Sequence, residues 1–306
     1  MKILVTGGAG FIGSHFVRRL LRNGDEPVVL DNLSSGLREN LPEEVRLIVM
    51  DVQDDAVMEL FQKERFDAVV HLAGQTMVNI SIDQPVHDAR ENIIGGIKIL
   101  EACRNTNVKR IIFSSSAAVY GDVAEDDLPI REAHLLSPMS FYGLSKYTME
   151  RYLELYHRIY GLDYVILRFS NVFGERQGDG GEGGVISIFA KRVAEGKPIT
   201  IFGDGEQTRD FIYAGDVASG IDAALHTEDA NTVYNLSTKT ETSIRQLVTY
   251  LSAVAGKKIV PKYAPPRSGD IYRSSLDNLR ASRGMDWAPK TPLEEALKHT
   301  YEHFLK

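Results

Sequence analysis

The sequence contains a single cysteine, Cys103, which excludes an intramolecular disulfide and any metal site that needs several cysteine ligands. It also lacks an excess of positive charge, since 35 Lys and Arg stand against 42 Asp and Glu, for a formal net charge of −7. Nothing in that balance favours nucleic acid or an anionic membrane as a partner. The 8 histidines show no spacing typical of metal ligands, so we expect no metal centre.

Long hydrophobic runs are absent as well. No apolar stretch approaches the roughly 18 residues that a transmembrane helix needs. The opening segment, residues 1–5, is too short for the hydrophobic core of a signal peptide and leads directly into a glycine turn. We therefore expect a cytoplasmic protein, and its 306 residues suffice for one large domain or two smaller ones.

What the sequence does contain is a repeated alternation of apolar runs and segments with helical periodicity. The runs are continuously apolar, which is typical of parallel strands covered on both faces. They lie at residues 3–5, 28–30, 47–49, 68–70, 111–113 and 165–167. Helical patterns cover residues 11–23, 56–63, a long stretch ending near 106, and 143–160. The alternation predicts an α/β fold with a doubly wound parallel sheet and right-handed crossovers.

The carboxy-terminal third follows a looser pattern. After about residue 169 the elements shorten, and Pro261, Pro265 and Pro266 interrupt the chain. We expect about 170–210 and 237–306 to form a smaller α/β lobe over the carboxyl ends of the strands, where open sheets bind ligands. Residues 1–169, with about 211–236, would form the sheet domain. Trp287 is expected to pack within the smaller lobe.

A glycine-rich turn joins the first predicted strand to the first helix. Gly7 suits the positive φ of a tight turn, Gly10 lets the backbone approach a pyrophosphate, and Gly13 permits close packing of the helix on the strand. The helix amino terminus would offer free N–H groups and the positive end of a dipole to the phosphates. The strand before and the helix after this turn favour a dinucleotide site over a structural turn.

Asp31 ends the second predicted strand, 18 residues beyond Gly13. A carboxylate at this place accepts hydrogen bonds from an adenosine ribose and repels a 2′-phosphate, so the sequence favours NAD over NADP. Arg38 is the nearest cation in the same loop and lies too far along to reverse that preference.

Tyr142 and Lys146 are four residues apart at the start of a predicted helix, so their side chains share one helix face. A nearby ammonium stabilises a phenolate and lowers the pKa of a tyrosine toward the range of a general base. Such a pair is also common on helix surfaces. Here Ser114, Ser115 and Ser116 follow another predicted strand at the carboxyl edge, where a hydroxyl could hold a substrate oxygen beside the phenol.

These motifs, in this order, resemble the extended short-chain dehydrogenase/reductase family, which has a Rossmann-type fold. Within it the chain is most similar to the UDP-sugar 4-epimerases, and closest to those of UDP-glucose and UDP-galactose. The resemblance runs over nearly the whole length. It implies that Tyr142 is the catalytic base, that Lys146 binds the nicotinamide ribose, and that Ser116 is the catalytic hydroxyl.

The resemblance also assigns the remaining site residues. For NAD it implies contacts from Gly7, Gly10, Phe11, Ile12, Gly13, Asp31, Asn32, Ser34, Ser35, Gly36, Asp51, Val52, Leu72, Ala73, Gly74, Gln75, Asn92, Ser114 and Phe169, besides Tyr142 and Lys146. For a UDP-sugar it implies Asn171, Val185, Thr200, Ile201, Phe202, Arg209, Arg267, Asp270 and Ser274, besides Ser116 and Tyr142. Two sequence differences from the family stand out, since Gly74 replaces its usual alanine and Phe141 the proline common before the tyrosine.

The implied reaction inverts C4 of a UDP-hexose through a transient 4-keto sugar. A nucleotide-sugar 4,6-dehydratase is an alternative, but dehydratases carry an Asp-Glu pair directly after the catalytic hydroxyl, where this chain has Ala117 and Ala118. Methyl groups transfer no protons, so elimination is disfavoured. Ser274 falls where a bulky tyrosine excludes N-acetyl groups, so UDP-N-acetylhexosamines could also be substrates. A UDP-glucuronate 4-epimerase stays open, as does a non-catalytic NAD-sensing protein.

The resemblance finally implies a homodimer built through a four-helix bundle. The helical patterns over about 93–103 and 147–159 carry apolar residues on more than one face, Tyr152 and Tyr156 among them. These two helices from each of two chains would form the bundle.

Overall fold

The structure, a computed structural model, describes residues 1–178, 184–266 and 271–306. At its centre is a 7-stranded sheet in the order β11-β6-β5-β4-β1-β2-β3, and all its neighbouring strands run parallel. The strands are β1 (Lys2–Thr6), β2 (Glu26–Asp31), β3 (Arg46–Val49), β4 (Ala68–His71), β5 (Arg110–Ser116), β6 (Asp163–Phe169) and β11 (Thr232–Leu236). The predicted doubly wound sheet of the Rossmann type is confirmed.

Helices cover both faces of this sheet. They are α1 (Phe11–Asn23), α2 (Ala56–Glu64), α3 (Val78–Asp83), α4 (Pro85–Ala89), α5 (Gly95–Thr106), α6 (Phe141–Tyr160) and α8 (Ala214–His226). On one face Phe16 of α1 and Ile221 of α8 pack in one core cluster. On the other face Phe61, Leu100 and Leu153, from α2, α5 and α6, pack in a second one. The sheet is therefore buried on both sides, as its continuously apolar strands require.

The long helix predicted to end near Thr106 is broken into shorter pieces. Pro85 starts α4 directly after α3, because proline fits the first position of a helix but cannot continue one. A π-helical turn, Arg90–Ile94, then joins α4 to α5. Such turns are rare in proteins, but those that do occur are often found at functional sites. The turn holds Asn92, one of the residues predicted to contact NAD.

The smaller lobe consists of short strands and helices above the sheet. Its strands form pairs: β7 (Asn171–Phe173) with β10 (Phe211–Tyr213), β8 (Thr200–Phe202) with β13 (Lys262–Ala264), and β9 (Thr208–Arg209) with β12 (Thr242–Ser243). Its helices are α7 (Val185–Ala194), α9 (Ile244–Val254) and α11 (Leu293–His303), whereas the buried Ala281 of α10 (Leu279–Gly284) packs in the cluster of the large sheet. Phe189, Leu247 and Leu297, from α7, α9 and α11, share a core of their own.

Trp287 does not pack in that lobe core, so this prediction is wrong. Its ring belongs to the cluster that holds Phe16 and Ile221 under the large sheet. Its Nε1 donates a 2.7 Å hydrogen bond to Ser219 Oγ on α8. Spacing along the sequence could not reveal this contact, because the loop that carries Trp287 returns to a helix about seventy residues earlier.

Candidate active site

The predicted site residues meet at the carboxyl edge of the large sheet. β1 ends at Thr6, β4 at His71 and β5 at Ser116, and these strands lie side by side in the order β5-β4-β1. The Thr6 hydroxyl is 2.7 Å from His71 Nδ1 and accepts a 3.2 Å hydrogen bond from the Ala73 N–H. Burial lowers the pKa of His71 to about 3, with the charge of Lys146 adding to the effect, so His71 is a neutral structural group.

The glycine turn has the geometry that its sequence predicts. Gly7 has a φ of +70°, and a Cβ there would lie 2.7 Å from the Ala73 nitrogen. A Cβ on Gly13 would lie 2.2 Å from the Gly7 carbonyl oxygen, so only glycine lets α1 pack this closely on the turn. Gly10 precedes α1 and supplies no side-chain cap, which leaves the first turn, with Phe11 and Ile12, as an anion-binding terminus.

Asp31 lies beside this turn and is 7% exposed. Its Oδ2 accepts a 2.9 Å hydrogen bond from the Ala9 N–H, and its Oδ1 accepts one of 2.9 Å from the Leu33 N–H. Burial raises the pKa of this carboxyl, and the two N–H groups oppose that rise. A Cβ on Gly36 would lie 2.9 Å from Oδ1, so glycine keeps the space in front of the carboxylate open.

The loop after Asp31 and the end of the third strand form one polar rim. Asn32 Nδ2 donates a 2.8 Å hydrogen bond to Asp51 Oδ2, and Asn32 Oδ1 accepts one of 3.0 Å from the Ser34 N–H. Ser34 and Ser35 are exposed, whereas Val52 is buried. The structure thus brings together the residues predicted to surround the adenosine half of NAD.

Gly74 and Asn92 face each other beyond the end of β4. Gly74 has a φ of +153°, and a Cβ on it would lie 2.4 Å from Asn92 Oδ1. That geometry gives a physical reason for glycine here in place of alanine. Asn92 Nδ2 donates to the Gln75 carbonyl at 3.0 Å and to Ser145 Oγ at 3.1 Å, whereas its buried Oδ1 has no partner among the described residues. Leu72 and Ala73 are partly buried on the same strand end.

Ser116 and Tyr142 come together across the cleft. Ser116 is the last residue of β5, and its hydroxyl lies near enough to the Tyr142 phenol to lower the pKa of that phenol. Burial and the charge of Asp88 raise the pKa, and the net effect is a rise, so the lowered pKa expected from the neighbouring Lys146 is not found. Ser116 Oγ also accepts a 3.1 Å hydrogen bond from the Ala118 N–H. Ser114, two residues earlier, donates its Oγ to the His71 carbonyl at 3.2 Å and so points away from the phenol.

The start of α6 explains why the phenol reaches this serine. Ser140 caps the helix, since its Oγ accepts a 3.1 Å hydrogen bond from the Gly143 N–H. A Cβ on Gly143 would lie 2.5 Å from the Ala118 carbonyl oxygen. Glycine at this position therefore lets the first turn of the helix, which carries Tyr142, rest directly on the turn that follows Ser116.

Lys146 is one turn further along α6 and is 4% exposed. Its Nζ lies 5.0 Å from the Phe113 ring centroid and 5.9 Å from that of Tyr142. It donates no hydrogen bond to any residue that the structure describes. Burial lowers the pKa of Lys146 to about 8, and the negative charge of Asp88 opposes that change. A buried ammonium without a hydrogen-bond partner needs one from a ligand.

The residues of this cleft fit NAD. The uncapped α1 terminus suits a pyrophosphate, and the space before Asp31 suits a ribose. Lys146 Nζ and Asn92 Oδ1, a buried donor and a buried acceptor without partners, suit the second ribose and the nicotinamide end. Phe169, at the end of β6, is 6% exposed and packs in the core cluster that contains Phe16 and Ile221.

Comparisons with known proteins agree with this geometry. Residues 3–237 match the model of the NAD dependent epimerase/dehydratase family. The chain belongs to this family. A crystal structure of UDP-glucose 4-epimerase from Thermotoga maritima, with UDP-glucose, is 43% identical and superposes with a TM-score of 0.96, covering 99% of this chain and 98% of that one.

Two further solved structures are similar over the full chain. The UDP-glucose 4-epimerase of Thermus thermophilus, in complex with NAD, is 41% identical with a TM-score of 0.92 and 99% coverage of both chains. A UDP-N-acetylglucosamine 4-epimerase of Methanobrevibacter ruminantium, in complex with UDP-N-acetylmuramic acid, is 36% identical with a TM-score of 0.94, covering 99% of this chain and 98% of that one. The resemblance seen in the sequence is therefore confirmed.

In the smaller lobe, the predicted substrate residues Asn171 and Arg209 are connected through Asp210, which follows Arg209 in the chain and bonds Asn171. The Asn171 N–H donates a 2.9 Å hydrogen bond to the Asp210 carbonyl. The Asp210 carboxylate is fully buried and accepts hydrogen bonds from the Thr238 N–H at 2.8 Å and from the Lys239 N–H at 3.1 Å. It fixes the strand that carries Arg209, whose Nη1 donates to the Thr208 carbonyl at 2.8 Å.

The other described residues predicted to bind substrate lie in the smaller lobe. Thr200, Ile201 and Phe202 form β8, which pairs with β13, and Val185 starts α7. Ser274 is partly buried in a segment that runs beside Ile130, whose N–H donates a 2.8 Å hydrogen bond to the Ser275 carbonyl. Arg267 and Asp270 lie outside the described residues.

Two polar groups behind the cleft were not predicted from the sequence. Asp88 is 1% exposed and acts on Lys146 from the neighbouring helix α4. Glu150, on α6, binds the buried Arg168 of β6 through two hydrogen bonds of 2.9 and 2.6 Å, and accepts one of 2.6 Å from Ser115 Oγ. Apolar periodicity does not reveal charges on buried faces, and only the spacing of Glu150 four residues after Lys146 hinted at its position.

Proposed function

We propose that this chain is an NAD-dependent 4-epimerase of UDP-hexoses, with UDP-glucose and UDP-galactose as its main substrates. The observation that carries the proposal is that Ser116, Tyr142 and Lys146 come together at the edge of a sheet whose glycine turn and Asp31 fit NAD. Full-length similarity to UDP-glucose 4-epimerases supports the substrate class.

In this proposal Tyr142 takes the proton from the sugar 4-hydroxyl, and the Ser116 hydroxyl favours the phenolate form, since it lowers the pKa of the phenol. When bound, NAD supplies reversible acceptance of the C4 hydride, which leaves a transient 4-keto sugar. The Lys146 ammonium, 5.9 Å from the Tyr142 ring centroid, stabilises the phenolate by its charge. Asn171, Arg209 and Arg267 would hold the diphosphate while the sugar turns to present its other face.

A dehydratase reaction is disfavoured because it requires an acid and a base near C6. The two residues after Ser116 are Ala117 and Ala118, which form a short 3-10 turn and carry only methyl groups. The substrate range within the epimerases is wider than glucose and galactose in this proposal. The small, partly buried Ser274 supports it, as does similarity to a UDP-N-acetylglucosamine 4-epimerase.

The test is a turnover assay with the purified protein and no added NAD. UDP-galactose, UDP-N-acetylgalactosamine and UDP-glucuronate are incubated separately, and the products are resolved by chromatography. We expect the 4-epimer from UDP-galactose, and its formation about 10²- to 10⁴-fold slower in Tyr142→Phe. A 4-keto-6-deoxy product, or no 4-epimer from any substrate, would contradict the proposal; fastest conversion of UDP-glucuronate would reassign the sugar. An NAD-sensing role without catalysis predicts no turnover at all.

We also propose a division into lobes that follows these roles. Residues 1–169 and about 211–236 would bind NAD, and about 170–210 and 237–306 the nucleotide sugar. The return of residues 232–236 to the large sheet, as β11 beside β6, supports this division. A cytoplasmic location completes the proposal; it is supported by the single cysteine, and among the described residues no helix is long and apolar enough to cross a membrane.

A homodimer through α5 and α6 is part of the same proposal. Ile94, at the start of this region, is 47% exposed, and Leu144, Leu155 and Ile159 on α6 are 46%, 44% and 62% exposed. Tyr152 and Tyr156, which the sequence suggested for this face, instead pack against the chain's own core, and Tyr156 donates a 2.6 Å hydrogen bond to Glu101. The remaining apolar side chains support a second copy as the occupant of this face.

A further inference from the structure

Asp88 is a buried carboxylate held by neutral side chains. It is 1% exposed, and its Oδ1 accepts hydrogen bonds from Gln75 Nε2 at 2.8 Å and from Asn92 Nδ2 at 3.0 Å. Among the residues that the structure describes, no cation forms an ion pair with it. Burying a carboxylate without a directly bonded cation is costly, so this arrangement calls for a compensating charge nearby.

The compensating charge is that of Lys146, with which Asp88 interacts electrostatically without a direct bond, and Asn92 bonds Asp88 and lies near Lys146. Asn92, which binds Asp88, also donates to Ser145 Oγ at 3.1 Å, and Ser145 Oγ donates to the Tyr142 carbonyl at 2.9 Å. The Asn92 Oδ1 lies 2.4 Å from the position of a Cβ on Gly74, and that same position is 3.9 Å from Lys146 Nζ. Asp88, Asn92 and the start of α6 thus form one connected cluster behind the catalytic pair.

Three titratable groups surround Lys146, and each comes from a different place in the fold. His71, on β4, is neutral because burial lowers its pKa to about 3. Tyr142, on the same helix as Lys146, has a raised pKa and is uncharged in the resting site. Asp88, on α4, is the charged group among those described that acts on Lys146, and it counteracts the fall in pKa caused by burial.

We propose that Asp88 is a positioning residue of the reaction, whose carboxylate, fixed by Gln75 and Asn92, keeps the Lys146 ammonium charged and in place beside Tyr142. Only the predicted effect of Asp88 on turnover rests on the proposed function. The relation between Asp88 and Lys146 is a property of the protein itself. Because the same carboxylate also raises the pKa of Tyr142, its removal moves the titrations of both groups toward lower pH.

The first test measures the charge on Lys146 directly, in NAD-free protein without substrate. Lysine labelled with ¹³C at Cε reports the protonation of its amine by NMR, and the signal of Lys146 is assigned by its loss in Lys146→Arg. We expect a midpoint near pH 8 in the native protein. In Asp88→Asn the midpoint should fall by about one unit, which is tenfold in the ionisation constant.

The second test measures the pH profile of turnover. Above the Lys146 midpoint the ammonium is lost and kcat/KM should fall, and in Asp88→Asn this fall should begin about one unit lower. Because the pKa of Tyr142 falls as well, the whole profile should move toward lower pH, and the ratio of the rate at pH 6.5 to the rate at pH 8.5 should rise several-fold. Asp88→Glu, which restores the charge, should recover most of the profile. Asp83→Asn, at an exposed neighbouring acid, is the control and should leave both readouts unchanged.

An unchanged Lys146 midpoint in folded Asp88→Asn would overturn the proposal, as would an equal loss of rate at every pH, which marks a purely structural role. If Asp88→Asn fails to fold, Asp88→Ser, which leaves room for water, gives the same comparison. A native protein that turns over no UDP-sugar would remove the proposed function, while the Lys146 midpoint would still decide the role of Asp88.

Discussion

The hydroxyls of Ser116 and Tyr142 meet at the cleft, and each is positioned by a different element. Ser116 ends a strand and has its Oγ bonded to the Ala118 N–H at 3.1 Å, so it is fixed whether or not a substrate is present. Tyr142 approaches it from the first turn of α6. In the proposed reaction the phenol is the group that changes its protonation state, and the serine orients it.

Replacing Tyr142 by phenylalanine removes the proposed base without changing the ring. We expect kcat to fall by about 10²- to 10⁴-fold, which is the usual contribution of a positioned general base. The melting temperature should stay close to that of the native protein, because no structural hydrogen bond of the phenol to a described residue is lost. Tyr147→Phe, on the same helix, is the matched control, and activity within tenfold of the native rate in Tyr142→Phe would rule out the assigned base.

Ser274 is the residue on which the proposed substrate range depends. A tyrosine here would fill the space that we assign to an N-acetyl group. Ser274→Tyr should therefore lower kcat/KM for UDP-N-acetylgalactosamine by about tenfold or more, while UDP-galactose is affected far less. Competitive assays with both substrates measure the ratio, and Ser282→Tyr, on the exposed side of α10, is the control. Equal losses for both substrates would place Ser274 away from C2 of the sugar.

At the scale of elements, α6 is the part of the fold that assembles the chemistry. It carries Tyr142 and Lys146, and it is fixed at its start by Gly143 and further along by Glu150, which binds Arg168 of β6. The helix is thus joined at two points, to the turn after Ser116 by close backbone packing and to the neighbouring strand β6 by a buried ion pair.

Gly143→Ala tests the close packing. The added Cβ would lie 2.5 Å from the Ala118 carbonyl oxygen, so the helix start must shift away from Ser116. Because misplacement by about 1 Å costs up to 10²-fold in rate, we expect kcat to fall by about that amount. Thr148→Ala, at a partly buried position of α6 that faces neither Ala118 nor Ser116 in any described contact, should have no such effect. A Gly143→Ala enzyme with native kcat would show that the helix start does not set the Ser116–Tyr142 geometry.

Arg168→Met tests the ion pair. It removes the cation that binds the fully buried Glu150 directly and leaves only Arg151, whose Nη2 is 3.9 Å from Glu150 Oε2, so we expect a loss of about 3 kcal/mol of unfolding free energy. Urea unfolding measures the loss, and Arg245→Met, at an exposed pair with Glu206, should cost no more than about 1 kcal/mol. Adding Glu150→Leu to Arg168→Met should restore part of the stability, and a further loss instead would contradict the account.

The helix boundaries show which parts of the fold could be predicted from the sequence. α1 spans Phe11–Asn23 as predicted, because a glycine turn and a strongly amphipathic stretch mark both of its ends. The start of α6 was placed two residues late, since the Ser140 cap is visible only from its contact with Gly143. The breaks at Pro85 and in the π-turn, and with them the position of Asp88, depend on contacts with distant residues that one sequence does not show.

At the scale of the whole molecule, the apolar surface along α6 is the feature that a single chain leaves uncovered. Leu155 and Ile159 are 44% and 62% exposed on a helix whose other face supports the active site. A second copy over this face would hold α6 in place from outside, so association and activity should be linked.

Ile159→Asp should therefore weaken the dimer. Light scattering of the native protein should give twice the mass of one chain, and Ile159→Asp should shift the mass toward one chain at low concentration. Leu305→Asp, at an equally exposed apolar residue near the end of the chain, is the control and should leave the mass unchanged. A native protein with the mass of one chain would reject the dimer.

The central claim is that C4 is inverted by moving its hydrogen out and back, with Tyr142 carrying only the hydroxyl proton. The most direct measurement is turnover of UDP-galactose in D₂O, followed by NMR of the product. The account predicts UDP-glucose that keeps its original hydrogen at C4 and takes up no solvent deuterium on carbon. Deuterium at C4 or C5 of the product would contradict it, because that would mean proton abstraction from carbon.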